Sequence, residues 1–327
     1  MKGNENQNKA IIQWACDYLS SHGYTLKSNL PEEVQNTPWS SVVRFTTSNG
    51  YIYLKRTPKL IALEADIIQI LHDQFKFSVP EIIAKNTELN CFLMKDEGRA
   101  LRGLLKNKFD VDLFSKAIDQ FTLMQVEVSD HVKVLLDIGV PDWRLNKLPD
   151  LFKQLLAEKN ILMADGLSEI EIAELERLLP RIADLCEKLS RYAIKETLVQ
   201  PDFHDNNTLI NETSQKMTVI DLGEIVISHP FFSLINCLHQ AKKHYELIEG
   251  DAAYQQLLDA CSKNYLAFES KNNLLDAFAI ARVLLFVYGA LANYRLMLAC
   301  GIEKLMAFQH GRLSGQLKEL VIALDLG

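Results

Sequence analysis

Apolar and polar positions alternate in two different rhythms along this chain, and the change of rhythm divides it. Asn8 to Ser21 spaces Ile11, Ile12, Trp14, Cys16 and Leu19 among polar residues, the pattern of an amphipathic helix. SVVRFTT (41–47) and YIYLK (51–55) flank Ser48-Asn49-Gly50, which predicts strand, turn, strand. Leu60 to Gln74 returns to helical spacing through Ile61, Leu63, Ile67, Ile68, Ile70 and Leu71. Val79-Pro80 opens a further strand, EIIAK, with CFLMK (91–95) as its partner. From about Gly98 the pattern is helical almost throughout. The exception is one hairpin, in which TLIN and KMTVID bracket a polar ETSQ turn. The predicted layout is α+β and two-lobed: a small β-rich lobe over residues 1–96, preceded by the amphipathic helix, and a large helical lobe over 97–327. The link lies near Met94 to Gly98.

Bulk properties narrow the functional classes. The 327 residues suffice for two lobes with a sizeable core, and 48% hydrophobic with 24% charged residues is ordinary for a globular protein. A net charge of −7 disfavours nucleic acid as a partner, since that needs a basic face. The six scattered cysteines form no CxxC pair and read as free thiols in a reducing compartment. MKGNENQNK at the start lacks the apolar core of a signal peptide. Val283 to Ala292, the most apolar run, is about half the length a bilayer span needs and reads as a buried core helix. The expectation is a cytoplasmic protein with no membrane partner; oligomeric state is left open.

The hairpin carries the chemistry. Asn207 precedes its first strand and Asp221 ends its second, so antiparallel pairing brings an amide oxygen and a carboxylate together. That pair suits Mg²⁺, a hard cation that takes one or two carboxylates and fills its other positions with phosphate oxygens and water. Asp202, five residues before Asn207, is placed to accept a proton from a hydroxyl approaching the phosphate. An Asp- and Asn-rich loop alone is commonly just a solvated turn; the hairpin and the apolar-Asp exit strand distinguish this one. Lys55 at a strand end and Glu64 on the following helix fall in the order expected of a phosphate-anchoring lysine and its partner.

With Asp202-x-x-x-x-Asn207 and Ile220-Asp221-Leu222-Gly223 in place, the sequence resembles the aminoglycoside phosphotransferase and choline kinase superfamily from about Ser41 to Leu234. The resemblance implies a protein-kinase-like fold and transfer of the γ-phosphate of ATP, with Mg²⁺, to a hydroxyl of a small molecule. It implies Asp202 as catalytic base, Asn207 and Asp221 as metal ligands, Lys55 on the ATP phosphates and Glu64 paired with Lys55. Backbone groups near Met94 to Asp96 are implied to hold the adenine. The family loop reads His-Gly-Asp-Leu-His-x-x-Asn; here Gln200 replaces the first histidine, and His204 falls on the second. The phosphate-covering loop is not glycine-rich: Thr37-Pro38-Trp39-Ser40-Ser41 occupies its place, so hydroxyls or N–H groups of Ser40 and Ser41 become candidates for the phosphates. Trp39 is either a lid side chain or a core anchor. Ser233 stands where the family has an aspartate, in Ser228-His229-Pro230-Phe231-Phe232-Ser233-Leu234.

The segment between Glu224 and the helix near Phe231 is too short for the activation segment of a polypeptide-binding kinase, which argues for a small acceptor. An atypical protein kinase, and a catalytically weak nucleotide-binding pseudokinase or scaffold, are the alternatives. No Walker A, GxGxxG, GxSxG or HExxH sequence is present. His239 and His244, five apart, do not share a helical face, and with His229 they make a poor metal set. Glu246, Glu249 and Asp251 are expected on a solvated helix face, with a cavity for a cationic acceptor as the other reading.

Overall fold

The computed structural model describes residues 2–28 and 30–325, with side chains from residue 8 onward. Met1 and residues 326–327, at the outer ends of the two expected lobes, lie outside the described residues. Five antiparallel strands form the small lobe: β1 (Glu32–Asn36), β2 (Ser41–Thr47), β3 (Gly50–Arg56), β4 (Ile82–Asn86) and β5 (Cys91–Lys95), in the order β1-β2-β3-β5-β4. β2 and β3 close a two-residue hairpin, with Thr47 opposite Gly50, whose φ of +102° suits glycine.

Side-chain alternation gives the sheet two jobs. Phe45, Ile52, Leu54, Cys91 and Leu93 bury one face against Ile11, Ala15 and Leu19 of the N-terminal helix Lys2–Ser21. Phe92, one residue on from Cys91, joins the main core with Ile67, Ile68 and Leu71 of helix Glu64–Asp73. Lys55 likewise follows Leu54 and turns away from the small core toward the cleft.

Two local expectations change. β1 has no apolar alternation: EEVQN is exposed at every position, as a polar edge strand can be, so only its ladder to β2 reveals it. The helix expected from Leu60 begins instead as a single 3-10 turn, Lys59–Ile61, directly after Pro58. The α-helix starts at Glu64, which puts that carboxylate in its first turn.

The link between lobes is short. β5 ends at Lys95, and β6 (Arg99–Ala100) already pairs with the large-lobe hairpin. Between them Gly98 has φ +114°, and a Cβ there would lie 2.3 Å from the Ile210 carbonyl oxygen. In the large lobe β7 (Thr197–Val199) pairs with β10 (Val226–Ser228), while β8 (Thr208–Ile210) and β9 (Met217–Val219) form the hairpin. Helices cover these strands. The apolar run at Val283 belongs to a 30-residue helix, Lys271–Cys300, longer than the run suggests. By length and composition it could cross a membrane, but half of its most apolar stretch is buried inside the fold. It packs against helices Phe231–Tyr245 and Arg312–Asp325.

Candidate active site

Lys55, Glu64 and Asp221 meet in the cleft, 166 residues apart at the extremes. Lys55 Nζ lies 2.9 Å from Glu64 Oε1 and 2.7 Å from Oε2, and it also donates to Asp221 Oδ1. The Leu222 N–H donates to Glu64 Oε1 at 3.1 Å, so the helix carboxylate grips both the lysine and the backbone that follows Asp221. Burial opposes the charge on Lys55, but Asp221 and Glu64 outweigh it and hold the ammonium above its ordinary range. Gly223 permits this approach: a Cβ there would press on Glu64 Oε2 at 3.1 Å and the Ile61 carbonyl at 3.3 Å.

Asp221 sits at φ +65°, a left-handed conformation that costs a non-glycine residue free energy. Gln200 holds it there. Its Nε2 donates to the carbonyls of Ile220 (2.8 Å) and Asp221 (3.0 Å). Ser233 in turn fixes Gln200: the Gln200 N–H donates to Ser233 Oγ, which donates back to the Gln200 carbonyl, both at 2.9 Å. The two departures from the family motif are thus bonded to each other, and together they brace the loop that carries Asp221.

Asp202 is the exposed member, with 62% of its side chain accessible. Asn207 Nδ2 donates to the Asp202 carbonyl at 2.8 Å and to Oδ2 at 3.3 Å. His204 Nδ1 accepts the Asn206 N–H at 3.1 Å, which assigns the ring proton to Nε2, 3.2 Å from Asp202 Oδ1. With its Nδ2 committed to Asp202, Asn207 keeps an amide oxygen available. That oxygen and the Asp221 carboxylate fit the donor set of a magnesium ion completed by phosphate and water. Among the described residues no group of three His, Cys, Asp or Glu forms a metal cluster.

The other predicted residues lie apart from this cluster. Met94 pairs with Tyr53 and Ile82 on β5. Asp96 is exposed, and its Oδ1 accepts the Gly98 N–H at 3.1 Å, closing the hinge turn. Ser40 and Ser41 border a separate cavity of about 300 Å³ that Lys55, Asp202, Asn207 and Asp221 do not border. Trp39 borders a second, larger cavity, which Asp202 also borders, and meets Phe308 edge-on at 5.3 Å, so it both lines that cavity and anchors the loop. His229 is a core residue: burial pushes it down to about 3, and its Nδ1 accepts the Phe231 N–H.

A cavity of about 740 Å³ opens at Asp202. Ile235, Leu238, Leu285, Phe286 and Leu296 give it an apolar wall. Glu249 borders it, against the expectation of a purely solvated face, but is held by Lys242 at 2.8 Å and Arg282 at 3.4 Å. Glu224 borders it too. Burial, with Asp221 and Asp202 adding repulsion, raises Glu224 to about 7, while Arg295 works the other way. Arg295 spends its hydrogen bonds on the carbonyls of Glu224 and Ile225. Tyr288 and Asn236 border the cavity, and their Oη and Nδ2 atoms are buried with no hydrogen-bond partner among the described residues.

Residues 36–268, more than half of the chain, match the family model described as the phosphotransferase enzyme family. The chain belongs to that family. Solved structures of similar shape include the choline kinase LicA from Streptococcus pneumoniae (12% identity, 96% of this chain and 99% of that chain covered, TM-score 0.60). A type I macrolide 2'-phosphotransferase matches at 13% identity, covering 93% and 94%, with TM-score 0.57. The ADP-bound aminoglycoside phosphotransferase APH(2'')-Ib matches at 16%, covering 94% and 96%, with TM-score 0.57. At such identities the likeness shows the two-lobed, kinase-like α+β fold. No curated protein sequence matches the chain.

Sequence reasoning missed several parts of this phosphotransferase site. Asp205, buried within the loop from Asp202 to Asn207, is gripped by Arg102 Nε and Nη2 (3.0 and 2.7 Å) and by the Tyr245 hydroxyl. Arg102 lies 103 residues away, with no local signal of the pairing. Glu224 follows Asp221-Leu222-Gly223 directly, and that adjacency to Asp221 was a usable signal.

Proposed function

We propose that the protein transfers the γ-phosphoryl group of ATP to a hydroxyl of a small molecule held in the 740 Å³ cavity. The carrying observation is the position of Asp202: its carboxylate opens into that cavity while its other contacts run to Asn207 and His204. Acceptor and phosphate sides therefore meet at one carboxylate. The acceptor oxygen bonds to the γ-phosphorus, the bond from that phosphorus to the bridging oxygen breaks, and ADP leaves. The hydroxyl proton passes to Asp202. His204 Nε2–H and Asn207 Nδ2–H fix the orientation of Asp202 before substrate arrives. Lys55, held by Glu64, neutralises phosphate charge.

Magnesium, held by Asn207 and Asp221, would supply charge neutralisation between the β- and γ-phosphates. The ADP bound in one solved relative supports the choice of nucleotide, and the choline and macrolide named for others support a small acceptor. The test is incubation of the full chain with γ-labelled ATP, Mg²⁺ and a cell extract split into small-molecule and protein fractions. Label in the small-molecule fraction that disappears with Asp202→Asn supports the reading. Label confined to protein favours a protein kinase instead, and no transfer at all favours the scaffold.

A further inference from the structure

Arg102, Asp205 and Tyr245 border neither of the two cavities described above, yet they are bonded to one another inside the large lobe. We propose that these three are positioning residues that aim Asp202, acting through His204 and Asn207. The proposal rests on the reading of Asp202 as the proton acceptor.

The Asp205 side chain is 1% exposed, and its carboxylate is held from outside its own turn. Arg102 Nε and Nη2 both donate to Oδ1, and the Tyr245 hydroxyl donates to Oδ2. Arg102 is 14% exposed, so both charges of the pair are largely withdrawn from water. The Tyr245 ring is stacked on Phe109 at 4.5 Å and meets Phe114 edge-on at 6.3 Å, which fixes the direction of its hydroxyl. Burial, with Asp205 adding to it, pushes the phenol up and keeps it a donor.

Stability alone gives little reason for such a pair. Exchanging a buried ion pair for apolar side chains of similar size is often neutral or stabilising. What the pair fixes is place. Asp205 opens the 3-10 turn Asp205–Asn207, with His204 immediately before it. The His204 carbonyl accepts the Asn207 N–H at 3.0 Å and its ring accepts the Asn206 N–H, so His204 and Asn207 move with that turn. Among the described residues these two contact the Asp202 carboxylate, through His204 Nε2 at 3.2 Å and Asn207 Nδ2 at 3.3 Å. A displaced Asp205 therefore turns Asp202 through both of its contacts.

The anchors themselves are tied to the rest of the site. Arg102 lies on the short helix Leu101–Leu105, directly after β6, whose Arg99 and Ala100 pair with Ile210 and Leu209. Tyr245 ends the helix Phe231–Tyr245. That helix also carries Ser233, which locks Gln200, and it lends Ile235, Leu238 and His239 to the wall of the 740 Å³ cavity. One helix thus braces the turns on both sides of the cleft floor and faces the cavity between its ends.

The test compares wild type with Tyr245→Phe, Arg102→Lys and the paired replacement Asp205→Leu/Arg102→Met, all in the full chain. Initial rates of γ-label transfer from ATP with Mg²⁺ to the small-molecule fraction of a cell extract are measured over a range of ATP concentrations. Rates are taken per folded molecule, well below each melting temperature. The paired replacement is expected to keep its melting temperature within a few degrees. Its maximal rate is expected to fall about tenfold to a hundredfold, with the KM for ATP within about twofold. Tyr245→Phe is expected to lose about threefold to tenfold. Arg102→Lys keeps the charge but not the planar fork, and falls between wild type and the paired replacement. A merely structural pair would leave the rate per folded molecule unchanged.

A second readout needs no acceptor. Nitrogen NMR of ring-labelled histidine, with His204 assigned by the signals lost in His204→Gln, reports its tautomer. Wild type shows the Nε2–H form, and the paired replacement moves both His204 nitrogens toward the average of the two tautomers. Wild-type rates together with wild-type His204 shifts in the paired replacement overturn the proposal. Absence of transfer by wild type overturns the reading of Asp202 instead, and unchanged His204 shifts would then overturn this proposal as well.

Discussion

The two sides of Asp202 are built on opposite principles. On the Lys55 side, the charged groups are answered, although Gln200 Oε1 is buried without a partner: Lys55 by two carboxylates, the Asp221 backbone by the Gln200 clamp, Asp205 by Arg102 and Tyr245. On the side of the 740 Å³ cavity, an apolar wall is backed by polar atoms with no hydrogen-bond partner among the described residues, Tyr288 Oη and Asn236 Nδ2 among them. One side is preorganised before any substrate arrives, as electrostatic catalysis requires. The other is left incomplete: on the proposed reading its buried polar groups would pair with an acceptor only by turning toward the cavity. A site that leaves buried polar groups unpaired rejects ligands that cannot pair them.

The comparison breaks most readily at Lys55. Lys55→Met leaves Glu64 buried without its cation, and by the usual cost of breaking a buried pair the variant loses about 3–5 kcal/mol of stability. Chemical denaturation measures it; a change within 0.5 kcal/mol contradicts the claim that this side is held by compensated charge.

Next in size is a pH effect on the acceptor side. Glu224 ionises near 4.5 in the unfolded chain and near 7 in the fold, so the folded state binds the extra proton between those values. Stability from this group is therefore full below pH 4.5 and is lost as pH rises toward 7. Glu224→Gln removes the loss. The variant gains on wild type across that window, by up to about 3 kcal/mol, and the gain stays level above it. Melting curves from pH 4 to 9 show this directly, and parallel curves for the two proteins refute it.

A smaller effect separates the brace from the residues it braces. Gln200→Ala frees two carbonyls and is expected to cost about 1–3 kcal/mol. Gln200→Glu cannot donate as the amide does and is expected to resemble it. Ser233→Ala, one step farther from Asp221, costs less, about 1 kcal/mol. Wild-type stability in Gln200→Ala would remove the brace from the account.

The same division governs what the sequence makes legible. Asn207 and Asp221 come together because one hairpin joins them, and hairpins announce themselves through alternation and turn residues. Lys55 and Glu64 are visible as strand end and following helix. The braces are not: Gln200 with Ser233 and Arg102 with Asp205 are contacts of tertiary packing between residues far apart in the chain. β1 stayed hidden because an exposed edge strand needs no apolar face. The 740 Å³ cavity stayed hidden because Lys271–Cys300 is apolar on most sides, so its sequence does not distinguish core-facing from cavity-facing positions. Ser40 and Ser41 were legible as a loop, but not the cavity they border.

The central claim is that Asp221 and a divalent cation together hold the nucleotide at Lys55. Calorimetric titration of ATP into wild type and Asp221→Ala, each with and without Mg²⁺, tests it most directly. The account predicts binding by wild type with Mg²⁺ and at least tenfold weaker binding when either the ion or the Asp221 carboxylate is removed. Equal affinity in all four titrations, or no binding by folded wild-type protein, would contradict it.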